Sequence, residues 1–315
     1  LSGAEPVTGA GLRAALGRRM TDTERSWARR GAWMAIAAAV AFSFKAVFVK
    51  IALRDGADPI VLLGMRMILA APFFALWLYR DRERVVTVTK ADAARVSLLG
   101  LLGFYAAAVL DFLGLQYLTA GLERIVLYVH PTFVLVFGAV LQRRWPTARS
   151  LAAVGVAWAG LVLAAGADAR AGSGDVAFGT ALVLGSAVLY AAYLLGIQRL
   201  GETYGNLNIA AAANLVASLA LAAHVITLHP GALAEATASL WQIALVMALV
   251  STVLPHLLLA EAIARVGPGM ASTLGMVGPF AASLLGWALL AEPLSATQLA
   301  GGAVVIAGVS MSRRG

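Results

Sequence analysis

Within otherwise apolar runs of this chain stand Lys45, Arg66, Asp111 and His130, side chains that lipid would penalise. Counted from the run ends on one side, Lys45, Arg66 and His130 each lie eight positions in and Asp111 seven. At about 1.5 Å per helical residue, all four sit roughly 10–12 Å below the same boundary. A Lys, Arg or Asp facing hydrocarbon costs about 2.5–3.5 kcal/mol near the bilayer centre on insertion scales. Around a shared wet cavity that cost largely disappears, so the matched depth predicts a polar chamber between helices. Lys45 and Arg66 can attract a carboxylate there. Asp111 either meets a ligand amine or neutralises one of the two cations as a structural pair. Histidine ordinarily titrates near about 6.5 and aspartate near about 4, so His130 and Asp111 lead as proton carriers, with Glu123 a third candidate.

Smaller signals surround this layer. Pro131 follows His130 directly and frees a backbone carbonyl around Leu127, an irregularity tolerated where a helix borders a cavity. Tyr128 lies four residues beyond Arg124 on one helical face and joins the binding candidates. Glu123 and Arg124 themselves, at a helix start, read as a solvated or loop-capping pair. Lys50 is expected to reach the outer interface along its apolar stem. Pro255-His256 reads as a structural kink, and Glu261 as wetted by the opposite mouth.

The elements that must position these groups are membrane helices. Of the 315 residues 61% are hydrophobic and only 13% charged, with a mean hydropathy of +0.84. A soluble domain carries about a quarter charged residues. Ten runs reach the ~20 residues that a bilayer requires. They cover 31–53, 58–79, 95–118, 122–142, 148–167, 176–198, 206–227, 239–262, 268–290 and 295–312. Short polar breaks separate them, and none is long enough for a soluble domain. With the N-terminus inside, 18 of the 24 Lys and Arg residues fall on the inner side and three on the outer. That asymmetry predicts both termini in the cytoplasm. Residues 1–30 form a basic arm without the apolar core of a signal peptide, expected either to rest on anionic lipid or to remain a disordered tail.

Sliding the chain by 148 residues lays Gly121 on Gly269, Pro131 on Pro279 and Gly160 on Gly308. The same offset brings the first span near the sixth and divides the chain into two five-helix halves, 31–170 and 171–315. Five is odd, so the second half enters the membrane inverted, a recurrent transporter design with the substrate site between the halves. Across the repeat, Tyr193 and Asn214 stand where the first half has Lys45 and Arg66, and both join the binding candidates. The charge is therefore asymmetric, with ions from one half and aromatic and amide groups from the other. A small zwitterion or anion with an apolar part fits such a pocket.

The segments "LGLQYLTAGLERIVLYVHPTFVLVFGAVLQRRWPTARSLAAVGVAWAGLVL" and "AIARVGPGMASTLGMVGPFAASLLGWALLAEPLSATQLAGGAVVIAGVSM" resemble the EamA-type repeat of the drug/metabolite transporter superfamily. The first half departs from the pattern, with Gln142-Arg143-Arg144 where the family usually carries a Gly-Glu pair. The resemblance implies an all-α, ten-helix transporter of a bacterial-type inner membrane, moving small metabolites, often outward. It names no substrate.

Other function classes find little support. The basic residues are scattered and form no aromatic-interleaved patch, so nucleic acid is not an expected partner. There is no cysteine, no HExxH and no phosphate-binding glycine loop, which leaves no visible metal site, cofactor, activated nucleophile or ATP motor. The reading is a secondary transporter of amino acids or carboxylates working by alternating access, with export coupled to proton entry. Facilitative uptake, cationic-compound efflux and an intramembrane enzyme are the alternatives. Its partners are a small-molecule substrate and the lipid bilayer; a monomer is a sufficient unit, and the oligomeric state is left open.

Overall fold

The computed structural model describes residues 22–143, 145–170 and 175–312. Most of the basic arm therefore lies outside the described residues, as does Arg144. Ten helices follow the ten apolar runs: α1 Ser26–Arg54, α2 Pro59–Arg80, α3 Lys90–Gly114, α4 Ala120–Gln142 and α5 Ala148–Arg170, then α6 Val176–Gln198, α7 Asn206–Leu228, α8 Ala238–Gly267, α9 Met270–Leu290 and α10 Ala296–Met311. Among the described residues, the first nine are long and apolar enough to cross a bilayer, and α10 is a shorter apolar helix. Boundaries differ from the apolar runs where a polar cap extends the helix. Thr89, for example, accepts from the Asp92 N–H, so α3 starts five residues before its apolar run. Asp58 caps α2 in the same way, accepting from the Ile60 and Val61 N–H groups at 2.7 and 3.0 Å.

The 148-residue repeat extends to the irregularities of the backbone. A π-helical turn interrupts α3 at Leu101–Ala106 and α8 at Leu249–Val253. α4 breaks at Tyr128 and Val129 and resumes at His130; α9 passes through a 3-10 turn at Gly275–Val277 and resumes at Gly278. Arg143 and Ala291 end those helices in the left-handed region, with φ of 51° and 54°. The two halves pack as an inverted pair. α1 lies along α8 and α9, and reciprocally α6 lies along α3 and α4, while α2 meets α7 and α5 meets α10. Each packed group thus mixes helices of both halves. Loops 55–58, 115–119, 229–237 and 291–295 mark the far face, opposite the terminal face where the described chain begins and ends.

The α5–α10 crossing depends on missing side chains. A Cβ on Gly160 would stand 2.6 Å from the Gly301 carbonyl oxygen, and one on Gly308 2.5 Å from the Ala157 nitrogen. Because those neighbours are backbone atoms, they cannot turn away. Gly308→Leu should lower thermal stability by about 1–3 kcal/mol, the usual cost of overpacking. Gly155→Leu, on α5 with nothing within 4 Å of its added carbon, should leave the melt unchanged. Equal melting curves for the two variants would show that this crossing does not limit stability.

Candidate functional site

Lys45 on α1 is the hub of the site. Its Nζ ion-pairs with Asp111 on α3 and donates to Glu123 Oε1 on α4 at 2.9 Å. Asp111 is 5% exposed and Glu123 fully buried. The solvated role expected for Glu123 is thus corrected: Thr119 caps α4 with an N–H bond from Leu122, so Glu123 already points inward in the first turn, where Lys45 reaches it. Two carboxylates share one ammonium, and that bridge joins α1, packed with α8 and α9, to α3 and α4, packed with α6.

Two guanidinium groups stand beside the hub, and among the described residues no carboxylate is bonded to either. Arg66 is 8% exposed, lies 5.1 Å over the Phe112 ring and donates to Thr252 Oγ1 at 3.3 Å. Arg124 lies 5.9 Å from the Phe42 ring and 6.0 Å from that of Tyr128. The Nε atoms of both are buried and unpartnered. Arg124 is therefore not the loop-capping group expected from its place near a helix start. One turn into α4, it points between aromatic rings of α1 and α4.

These groups border a central cavity of about 290 Å³, where Lys45, Arg66, Asp111, Tyr128, His130 and Asn214 all reach the wall. The two π turns contribute Gly103 and Phe104 from α3 and Ser251 and Thr252 from α8, positions related by the same offset. Widened turns of this kind recur at functional sites because they break the regular ladder and re-aim side chains. Tyr193 does not join the wall. It is 2% exposed and packs 4.8 Å from Phe104, against the space left by Gly103; Tyr190 faces the cavity in its place. Asn214 is 2% exposed and spends one amide hydrogen on the Ala210 carbonyl at 2.9 Å.

The freed carbonyl anticipated near Leu127 is present and taken: His130 Nδ1 bonds it at 2.8 Å. Tyr128 donates to the Gly275 carbonyl and lies against Gly278, where a Cβ would come within 2.8 Å of its hydroxyl, tying α4 to α9. His256, expected to mark only a kink, lies on the cavity wall edge-on to Phe42 at 5.3 Å, with Nδ1 on its own Thr252 carbonyl at 2.6 Å. The π turn that precedes it shifts its direction, which spacing on a regular helix does not anticipate. Glu261 pairs with Arg265 on its own helix and is largely exposed, as expected.

A second cavity, of about 840 Å³, shares Phe42, Arg124, Tyr128 and His130 with the first and continues along Ala35 and Val309 toward the terminal face. The far face is tied shut instead. Asp168 accepts from the Thr119 N–H at 3.1 Å and its hydroxyl at 2.8 Å, and from Gln298 Nε2 at 3.0 Å. Glu292 accepts the Ala120 N–H at 2.9 Å and lies 4.0 Å from Lys50, while Arg54 donates to the Leu290 carbonyl at 2.5 Å. Burial pushes the Glu292 carboxyl up, opposed by Lys50 and by the Ala120 N–H. Lys50 thus faces this closure rather than the interface, with its Nζ 4.0 Å from Glu292 of the opposite half and its side chain largely buried. No group of three or more potential metal ligands occurs among the described residues.

The profile of the EamA-like transporter family matches residues 29–166 and again 177–314, two copies displaced by the same 148 residues that relate the helices. The chain belongs to the EamA-like transporter family. Within it, this transporter is 31% identical over 277 residues to the uncharacterized transporter YcbK of Bacillus subtilis (strain 168), an alignment covering 83% of this chain and 86% of that protein. An uncharacterized transporter of Archaeoglobus fulgidus is 30% identical over 156 residues, 49% of this chain and 53% of the relative. A solved crystal structure aligns with a TM-score of 0.61 over 90% of this chain and 98% of its own, at 17% identity, a likeness of fold alone. EamA-like transporters are membrane carriers of the drug/metabolite superfamily, so the all-α architecture of ten helices in two inverted repeats serves transport of small molecules rather than catalysis.

Proposed function

We propose that this chain is a secondary transporter that exports small zwitterionic or anionic metabolites, such as amino acids or carboxylates, by alternating access of its two five-helix units, 31–170 and 171–315. The observation that carries the reading is the central cavity. It lies between the halves, is lined by ionisable groups, connects toward the terminal face and is tied off at the far face. The surplus of basic residues on the terminal side supports cytoplasmic termini in a bacterial-type inner membrane. A site loaded from that side and released at the other is an exporter.

Proton coupling fits the Lys45 bridge. When the two packed groups of helices rock, α1 shifts against α3 and α4, and the bridge loosens. Asp111 and Glu123 then face each other without their shared cation, and two close carboxylates cannot both remain ionised. One takes up a proton, so occupancy of the bridge and protonation alternate. His130 is the rival carrier: its Nδ1–H donates to the Leu127 carbonyl, which leaves Nε2 as the nitrogen that would take the proton.

Proteoliposomes test both parts. Protein-dependent, saturable counterflow of a carboxylate or amino acid, with no covalent change of the solute, is the expected result. An imposed pH gradient should accelerate it, and Asp111→Asn should abolish that acceleration while sparing exchange. If His130→Gln abolishes it instead, the histidine is the carrier. Covalent conversion of the solute without vesicle-dependent flux would refute the transporter reading.

A further inference from the structure

The charges of the cavity divide into two groups that do different work. Lys45 holds Asp111 and Glu123 together, one cation for two acids. Arg66 and Arg124 remain; among the described residues the buried Nε of each has no hydrogen-bond partner and neither is bonded to a carboxylate. Both reach the wall of the same 290 Å³ cavity. Counting Lys45, Arg66 and Arg124 against Asp111 and Glu123, the site carries one positive charge in excess. A guanidinium presents its donors in a planar fork suited to a carboxylate. An unpaired cation taken out of water is costly and persists where something other than stability requires it.

Resting on the transporter reading above, we infer that the transported solute is a net organic monoanion, a carboxylate with a compact apolar body and no ammonium group, held by Arg66 and Arg124. The carboxylate supplies the negative charge that the two arginines lack. Its body meets Phe42, Phe104 and Tyr190, which face the same space. An ammonium finds one free acceptor on the wall, Asp111 Oδ1, which is buried without a hydrogen-bond partner among the described residues. The acid that faces the cavity, Asp111, already holds Lys45 and lies in the field of Arg66, so a ligand amine there would be a third cation around one carboxylate. A zwitterion would also leave the excess charge uncancelled. This excludes free amino acids and amines, which the outline of the pocket alone would admit.

Matched ligands separate these classes. Purified protein is challenged with 3-phenylpropionate and 4-methylpentanoate, with phenylalanine and leucine as the same skeletons carrying an ammonium, and with 2-phenylethylamine and 3-methylbutylamine as the cations. The carboxylates should raise the melting temperature in a saturable manner, and the amino acids and amines should not. Arg66→Gln and Arg124→Gln should each weaken carboxylate binding about 10- to 100-fold, as expected for losing a hydrogen bond to a charged group. Arg66→Lys, which keeps the charge but not the fork, should fall between. A second readout distinguishes binding from scaffolding: each Gln variant without ligand should melt at or above the wild-type temperature, because a guanidinium with a buried, unpartnered Nε has gone. Lower melting of both ligand-free variants, with binding retained, would make the arginines scaffold and overturn the inference. So would stabilisation by amino acids or amines, or a panel in which no carboxylate acts. Transport is scored separately. Carboxylate binding without counterflow would sink the transporter reading and leave the anion site standing, whereas counterflow of leucine would do the reverse.

Discussion

Lys45→Met is expected to destabilise the protein by about 3–5 kcal/mol, the largest single-residue effect in the cavity. The substitution keeps the length and apolar volume of the side chain and removes only the ammonium. Asp111 and Glu123 then share a buried space with no cation bonded to either. Arg66 lies near Asp111 but is directed to Thr252 and Phe112, so it does not replace Lys45 without leaving its own contacts. A triple variant, Lys45→Met with Asp111→Asn and Glu123→Gln, should recover most of the loss, since two amides can bond each other where two carboxylates repel. Thermal melts of the single and triple variants in one detergent measure both effects. A single variant that melts with the wild type would mean that water already screens the bridge. The triple variant has a second use. It should fold and bind a carboxylate, yet show no response to a pH gradient, which separates the coupling group from the arginines that hold the solute.

Much of this arrangement is legible in the sequence because the bilayer imposes strict rules. Apolar runs of fixed length place ten helices, and the depth count places Lys45, Arg66, Asp111 and His130 in one layer, because helical rise is nearly constant. What depth does not encode is azimuth. Tyr193 sits at the depth of Lys45 in the inverted half, but it turns onto Gly103 and leaves Tyr190 to face the cavity. Arg124 and Glu123 lie within one turn of a helix start, which on a soluble helix means solvent; here α4 starts beneath the cover of α5, α9 and α10, so Glu123 is buried and Arg124 half-buried. His256 is displaced by a π turn that no local residue pattern announces, although its counterpart in α3 lies 148 residues earlier. The far-face closure is the least legible part. Asp168, Glu292 and Gln298 stand at run ends, where polar residues are ordinary, and only their convergence across the two halves sets them apart.

That closure should control which face the cavity meets. Asp168 receives hydrogen bonds from Thr119 in one half and Gln298 in the other, so it bridges the units directly. In Asp168→Asn the amide keeps the shape but turns one acceptor into a donor, and the Thr119 N–H or the Gln298 amide loses its partner. An unmet buried donor costs about 1–3 kcal/mol, which converts to roughly a 10- to 100-fold shift in the balance between closed and open far faces. The absence of native cysteine makes the shift readable with two introduced thiols. Ala120→Cys puts a far-face thiol at a fully buried position of the closure, where α4 meets α9. Ala39→Cys puts a terminal-face thiol on the larger cavity. In the parent background, a membrane-impermeant thiol reagent should label the terminal-face thiol from its own side and leave the far-face thiol nearly inert. Adding Asp168→Asn should speed labelling of the far-face thiol by about tenfold or more and slow that of the terminal-face thiol, because the cavity cannot open to both faces at once. Opposed changes identify rocking between two states. If both thiols become more reactive together, the substitution has loosened the fold instead; if neither changes, Glu292, Lys50 and Arg54 hold the far face without Asp168.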